Sequence, residues 1–506
     1  MEINGKSLTL EKVHSVASLG EEVTLSPGQI PLIERSRKMV LEALEKGSPL
    51  YGINTGFGTL KDIAIPPEDI AQLQENLIIS HAASVGPPLP EECARALLLL
   101  RANSLARGAS GVRPELISFL AELLNRGVTP YIPSQGSVGA SGDLALLAHM
   151  GLAVIGRGKA WYKGELMPAK DALQKAGLTP VQLQAKEGLA LINGTQAMCS
   201  IGCLTVLQAE KIAVLADIIG ASTLEAVKGS SAPFIPAAQN QRPHRGQLAS
   251  ARNLIKLTRE SRNMASHIEC RQIQDSYSLR CMPQVHGASR DAFAHARNVL
   301  EIEINSTTDN PLVLPEENVI ANTGHFHGQP IALVMDYVST AIAELGNISE
   351  RRIERLVNPA YSNGLPAFLT PKPGLCSGYM IAQYTAASLV SENKSLAHPA
   401  CVDSIPTSAG QEDHVSMGTT AARKAAQILA NVETVLAIEL VCAVQALDFR
   451  EFPAGPAVEA VRRCVRKSLP FLEGERIVSD DINMSLAMLK DGSVLKAVEE
   501  LIPDLE

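Results

Sequence analysis

Thirty consecutive residues, AARKAAQILANVETVLAIELVCAVQALDFR at 421–450, contain neither glycine nor proline. Apolar residues recur at helical spacing along the run, which predicts one helix of roughly 45 Å. A helix that long needs partners of comparable length, so the chain must build a bundle. A second run, PIALVMDYVSTAIAELGNISERRIERLVN at 330–358, supplies one partner, with Gly346 its one interior glycine. A third stretch, GLALINGTQAMCSIGCLTVLQA at 188–209, carries no charge. It is long enough to span a bilayer. Asn193, Thr195, Gln196, Thr205 and three glycines are too many polar and flexible groups for a lipid-facing helix. It reads instead as a helix buried inside protein.

Composition agrees. Hydrophobic residues make up 46% of the 506, but aromatics only 4%, with a single Trp. Ala and Leu therefore fill most of the core, which favours closely packed helices. The expected class is mainly α. At roughly 150 residues per domain the length suggests two to four compact units. Before the bundle, short helices alternate with loops. One helix is expected from about Ile30 to Lys46, a glycine-rich loop at YGINTGFG (51–58), and a helix end at Gly127. GRGKAWYKGELMPAKDALQKAGLTP, at 156–180, reads as a surface hairpin followed by a small helix.

The net charge of -8 argues against nucleic acid and against a polybasic membrane surface. The nine cysteines show no C-x-x-C spacing, and the opening MEINGKSLTLEK has no apolar signal region. Both fit reduced thiols in a cytoplasm. Cys199 and Cys203 lie one helical turn apart, yet without a regularly spaced His or Cys partner they read as core packing. No metal is expected.

The chemistry concentrates in GSVGASGDLALLAHM, residues 136–150. No Gly-Lys-Ser/Thr ends it, so it is not a Walker loop. Its G-x-x-G-x-x-G spacing, after two prolines, is not a dinucleotide fingerprint. The plain reading is a helix start with Ser141 or Asp143 as N-cap. A chemical reading is also open. In a tight bend the Gly142 amide nitrogen can attack the carbonyl carbon of Ala140, because glycine permits the backbone and leaves room. Ring closure with dehydration of Ser141 yields an electrophilic methylene with no added cofactor. The tripeptide is common; its surroundings decide.

Those surroundings resemble the aromatic amino acid ammonia-lyases, which carry methylidene-imidazolone (MIO). The similarity covers GSVGASGDLALLAHM together with YGINTGFG at 51–58, SHAASVG at 80–86, EGLALINGTQA at 187–197, QDSYSLRCMPQV at 274–285, DNPLV at 309–313 and GQEDHVSMG at 410–418, in family order. It implies a fumarase/aspartase-like helical architecture. Residues 1–187 would form an N-terminal domain with the MIO loop, and 188–506 a long-helix bundle and oligomerisation domain. It implies a homotetramer whose sites mix residues of several subunits, with no nucleic acid or membrane partner.

The resemblance also implies roles. Ala140, Ser141 and Gly142 would form MIO, with no external cofactor. Tyr51 would remove the substrate β-proton from a loop that closes over the site. Arg280 would hold the substrate carboxylate, where a bidentate fork fits. Tyr277 would help position the electrophile. Asn193 and Gln274 would line the cofactor and carboxylate region, and Phe326 would pack on the cofactor ring. The plain alternatives are a loop aromatic for Tyr51 and satisfied core amides for Asn193 and Gln274. His81 matches histidine and tyrosine enzymes, where phenylalanine-selective members tend to carry an apolar residue, and Glu412 matches histidine-selective members; a carboxylate facing an imidazole N–H is a bond that a phenyl ring does not repay. The implied reaction is non-oxidative deamination of L-histidine to trans-urocanate and ammonia, the first step of histidine degradation. A tyrosine lyase or aromatic aminomutase is the alternative on the same machinery, and an inactive helical assembly the alternative of another kind. Four positions depart from the family pattern: Leu146, Ser276, His325 and Gly410.

Overall fold

The computed structural model describes residues 1–47, 49–267 and 273–506. Among them the chain forms twenty α-helices and nine short strands, and the largest sheet has three strands. The long runs fold as their spacing predicts. The helices are Gln329–Val357 and Gly418–Leu447, with 29 and 30 residues. Both stop one to three residues before the predicted ends. Met282–Glu303 adds a further helix of 22 residues.

The uncharged stretch at 188–209 departs from the expectation of one helix. It is two helices, Glu187–Ile192 and Gln196–Ala226, broken at 193–195. The cause is tertiary. The Gly194 carbonyl oxygen turns out of the helical path and accepts from the Asp143 amide at 2.8 Å. Buried inside protein it is: Gly188 to Ser200 lie almost wholly out of solvent. Gln196–Ala226, Gln329–Val357 and Gly418–Leu447 are each long and apolar enough to cross a membrane. The protein itself buries 67%, 72% and 83% of their apolar windows.

The chain divides into two compact units. One comprises Met1–Leu207, Ala296–Asp336 and Pro399–Arg423. Its helix Ile30–Glu45 opens with Pro31 in the first turn, where a missing N–H costs nothing. Helix Leu10–Leu19 is capped by Thr9, whose side chain accepts from the Lys12 amide, and stops at Gly20 in a left-handed conformation. Helix Leu10–Leu19 packs on helix Glu91–Leu105, where Arg95 donates to the Val16 and Ala17 carbonyl oxygens; the residues of the latter helix from Cys93 on are almost all buried. Helix Pro114–Asn125 ends before Gly127, as expected. The hairpin Lys159–Tyr162 with Glu165–Pro168 forms, followed by helix Ala169–Lys175; strand Val128–Pro130 joins it as a third strand. Strand Val85–Pro88 pairs antiparallel with Pro133–Gln135, and the latter delivers the chain into the glycine-rich loop.

The other unit comprises Gln208–His295, Tyr337–His398 and Lys424–Glu506. Its long helices are tied by buried charge. Arg352 donates to both Glu439 oxygens, at 2.5 and 2.8 Å, and both side chains are fully buried. Thr223 and Ser349 also donate to Glu439. The pair is thus satisfied on every side, the condition under which a buried ion pair is tolerated.

Candidate active site

The loop 136–143 is built for close approach. Gly139 and Gly142 have φ of +68° and +69°. A Cβ at Gly139 would lie 2.2 Å from Ser416 Oγ, and one at Gly142 would lie 2.1 Å from the Gly194 oxygen. Only glycine fits either place. Three neighbouring groups clamp the loop. Met417 N donates to the Val138 oxygen at 2.8 Å, and Ser416 Oγ and Gly328 N both donate to the Gly139 oxygen, at 2.9 and 3.2 Å.

Asp143 holds the N-cap position of helix Leu144–Val154, but its side chain makes no bond to that helix's own amides. The carboxylate caps a different helix. Oδ2 accepts from Met198 N at 2.9 Å, in the first turn of Gln196–Ala226. Oδ1 accepts from Ser137 Oγ at 2.8 Å and from Thr419 Oγ1. Burial pushes this carboxyl above the usual carboxylate range, and the hydrogen bonds from Thr419, Met198 and Ser137 oppose it. Ser141 does not cap either; its hydroxyl faces elsewhere.

A cavity of about 950 Å³ opens over the loop. Its lining brings together Tyr51, His81, Ala140, Ser141, Asn193, Phe326 and Glu412, seven of the residues the sequence singled out. Ser141 Oγ donates to Glu412 Oε1 at 2.6 Å. The other Glu412 oxygen accepts from Thr407 Oγ1 at 2.7 Å, which fixes the carboxylate plane. Asn193 Nδ2 donates to the Ser141 carbonyl oxygen at 2.9 Å, while Asn193 Oδ1 is buried without a partner among the described residues. Tyr51 stands edge-on to Phe57, and its hydroxyl oxygen accepts from Gly58 N at 3.3 Å. His81 ends helix Ile70–His81. Burial pushes its imidazole below the ordinary histidine range, opposed by the Leu77 backbone and the Glu412 charge. It is therefore neutral at neutral pH.

Gln274, Tyr277 and Arg280 are not in this lining. They belong to the other unit. Tyr277 and Arg280 are the ends of one short helix, with the Arg280 guanidinium 4.8 Å from the Tyr277 ring centre. Tyr277 is 71% exposed. Of the four departures, Leu146 is core and His325 is exposed outside the lining. Ser276 precedes the helix Tyr277–Arg280 without capping it, and Gly410 faces open space.

Sequence reasoning passed over several residues. Lys61 Nζ donates to Gln411 Oε1 at 3.1 Å at the cavity edge. His327 and His414 stack at 5.5 Å in the lining. Arg101 lies fully buried beneath Asn193. Its signal was a lone charge inside ALLLLRANSLA. Cys199 and Cys203 are both buried, and burial pushes their thiols up. Among the described residues no group of three or more His, Cys, Asp or Glu is placed to hold a metal ion.

The arrangement presents a hydroxyl on a tight glycine-flanked bend, a carboxylate on that hydroxyl, a phenol and a neutral imidazole, all around one pocket. Comparison with known proteins agrees with the chemistry this suggests. Residues 8–467 match the family model described as aromatic amino acid lyase. A histidine ammonia-lyase of Gloeobacter violaceus is 56% identical over 498 residues, which cover 98% of this chain and 97% of the relative. The crystal structure of histidine ammonia-lyase from Trypanosoma cruzi superposes with a TM-score of 0.91 at 42% identity, covering 99% of this chain and 95% of that one. Tyrosine aminomutase from Streptomyces globisporus superposes with a TM-score of 0.94 at 39% identity, covering 99% and 98%. The chain belongs to the aromatic amino acid lyase family.

Proposed function

We propose that this chain deaminates L-histidine without oxidation, giving trans-urocanate and ammonia. The observation that carries the reading is the Ser141–Glu412 hydrogen bond inside a cavity shared with Tyr51 and His81.

The residues at 140–142 fit a methylidene-imidazolone. Ala140 is small and buried, and Gly142 sits where any side chain would strike Gly194. Asn193 already donates to the carbonyl oxygen of Ser141. The chemistry balances. The Gly142 nitrogen bonds to the Ala140 carbonyl carbon; that carbonyl oxygen leaves as water with the amide hydrogens of Gly142 and Ser141. The Ser141 Cβ–Oγ bond then breaks, and the hydroxyl leaves as a second water with the Cα proton. The group so formed supplies an electrophile for the substrate amine.

The remaining residues bind and move protons. Losing the Ser141 hydroxyl frees Glu412 Oε1, which then accepts the imidazole N–H of histidine. Neutral His81 lines the same side. Tyr51 takes the β-proton of the substrate. Helix Leu144–Val154 starts just after the loop and directs its positive end toward it. Phe326 covers the ring face. Arg280 grips the substrate carboxylate, with Gln274 and Tyr277 beside it. Because these three lie outside the cavity lining, we assign them to a neighbouring subunit of a homotetramer. The eight described cysteines are free thiols, as a reducing cytoplasm keeps them.

The test is an ultraviolet assay of purified protein with L-histidine, L-tyrosine and L-phenylalanine, with Ser141→Ala as control. Urocanate from histidine alone, absent in the control, is expected. Faster coumarate or cinnamate release, or β-tyrosine formation, overturns the assigned substrate. No product from a chain that keeps both waters by mass spectrometry overturns the activity altogether.

A further inference from the structure

We propose that Arg101 is a positioning residue for the self-modifying loop: it fixes the helix break at 193–195 so that the Asn193 amide stays on the Ser141 carbonyl oxygen. The proposal rests on the function proposed above.

Arg101 sits in helix Glu91–Leu105 and has no exposed surface. Placing a guanidinium there is costly unless it is paired. Its partners are neutral. Nη1 donates to the Asn193 carbonyl oxygen at 2.8 Å and to Gln196 Oε1 at 2.9 Å, and Nη2 donates to Ser104 Oγ at 3.3 Å. Nε has none. Among the described residues no carboxylate bonds to it directly. Asp309 acts on it only at a distance, being engaged by Lys186 at 2.7 Å and Ser110 at 2.8 Å. Burial pushes Arg101 down to about 10, so it remains charged at neutral pH. A cation kept in such a place must fix something.

What it fixes is two helix ends. Asn193 closes helix Glu187–Ile192, where carbonyls lack helical partners, and Gln196 opens the next helix. One Arg101 nitrogen joins both. Gln196 is held from its other side, where Nε2 donates to Thr308 Oγ1 at 2.8 Å. Gly194 lies between. A Cβ there would be 2.4 Å from Gln196 Oε1 and 2.5 Å from Arg101 Nη1, so the guanidinium presses directly on the break. With the Asn193 backbone held, its side chain reaches Ser141 and the Gly194 oxygen reaches Asp143. Arg101 thus sets the geometry in which 140–142 cyclise and in which the product group works, without touching substrate.

The test compares full-length parent, Arg101→Met and Arg101→Lys. Intact mass gives the fraction of chains that have lost two waters. Circular dichroism gives helix content, and kcat and KM are measured on histidine. Arg101→Met is expected to keep its helix content but to leave most chains with both waters. Its matured fraction should lose kcat on the order of 100-fold, with KM within about threefold. Arg101→Lys keeps the charge with a poorer fork and should fall between. An Arg101→Met chain that matures fully with parental kcat overturns the proposal. If Arg101→Met does not fold, Gln196→Leu removes the shared anchor while leaving the cation. Incomplete maturation there supports the proposal, and complete maturation overturns it. A parent that never loses the waters overturns the proposed function itself, which keeps the two failures apart.

Discussion

In the proposed reaction, substrate choice turns on Glu412. One of its oxygens is fixed by Thr407 and the other is taken by Ser141. Substituting Gln replaces a charged acceptor by a weaker neutral one, with its amide end competing for the same position. Glu412→Gln should cut kcat/KM for histidine by about 100-fold, and change any residual tyrosine turnover by less than about threefold. Parallel steady-state assays check this; equal losses on both substrates remove Glu412 from recognition. That Glu412 and His81 share one cavity was legible because both stand in distinctive motifs. Asp143 was legible only as a cap. Nothing in GSVGASGD says that its carboxylate serves Met198 and Thr419, since those partners come from elsewhere in the chain.

At the scale of elements, long helices were readable and their interruptions were not. Periodicity marks 330–358 and 421–450 because one face of each must be apolar. The break at 193–195 leaves no such trace, because both sides of it are buried and the uncharged pattern runs straight through. Its cause, a carbonyl turned toward Asp143, is not local. The far end of Gln196–Ala226 carries a second unusual group. Glu225 is buried, accepting from Ser261 Oγ and Gly455 N, and burial pushes it from its ordinary 4.5 up to about 7. Its place at a helix C-terminus works in the same direction. Between these values the folded chain holds a proton that the unfolded chain has lost. Stability therefore falls as pH rises from about 4.5 to about 7, by on the order of 3 kcal/mol from this group. Glu225→Gln should flatten that part of the slope, as measured by urea unfolding at pH 5 and pH 7.5 relative to the parent. An unchanged slope removes Glu225 as its source.

For the whole molecule, the decisive question is whether a second copy supplies Arg280 and Tyr277, as proposed. If sites are shared, two inactive variants can complement each other. Tyr51→Phe and Arg280→Met chains, each nearly inactive alone, should regain a measurable part of parental activity when co-expressed and co-assembled. In the proposed homotetramer with random mixing, roughly a quarter of the sites would combine two unaltered contributions if each draws on two chains. Activity no greater than the sum of the separate variants places all site residues in one subunit. The class of the fold was legible at this scale from helix length and from the scarcity of aromatics. Which residues would meet across copies was not, since no feature of one chain's spacing says so.

The clamp on the glycine-rich loop also orders events in time. Ser141 meets Asn193, 52 residues later, and Glu412, 271 residues later; Asp143 meets Thr419, 276 residues later. During synthesis these partners leave the ribosome long after the tripeptide does. A nascent chain therefore carries only an ordinary serine at 141, harmless to the amines and thiols around it. On the proposed chemistry, reactivity arrives only once the distant segments have docked, inside a pocket they themselves enclose. The two lost waters of that proposal would then be a record of completed folding, and the mass of a chain would tell whether it ever reached its native state.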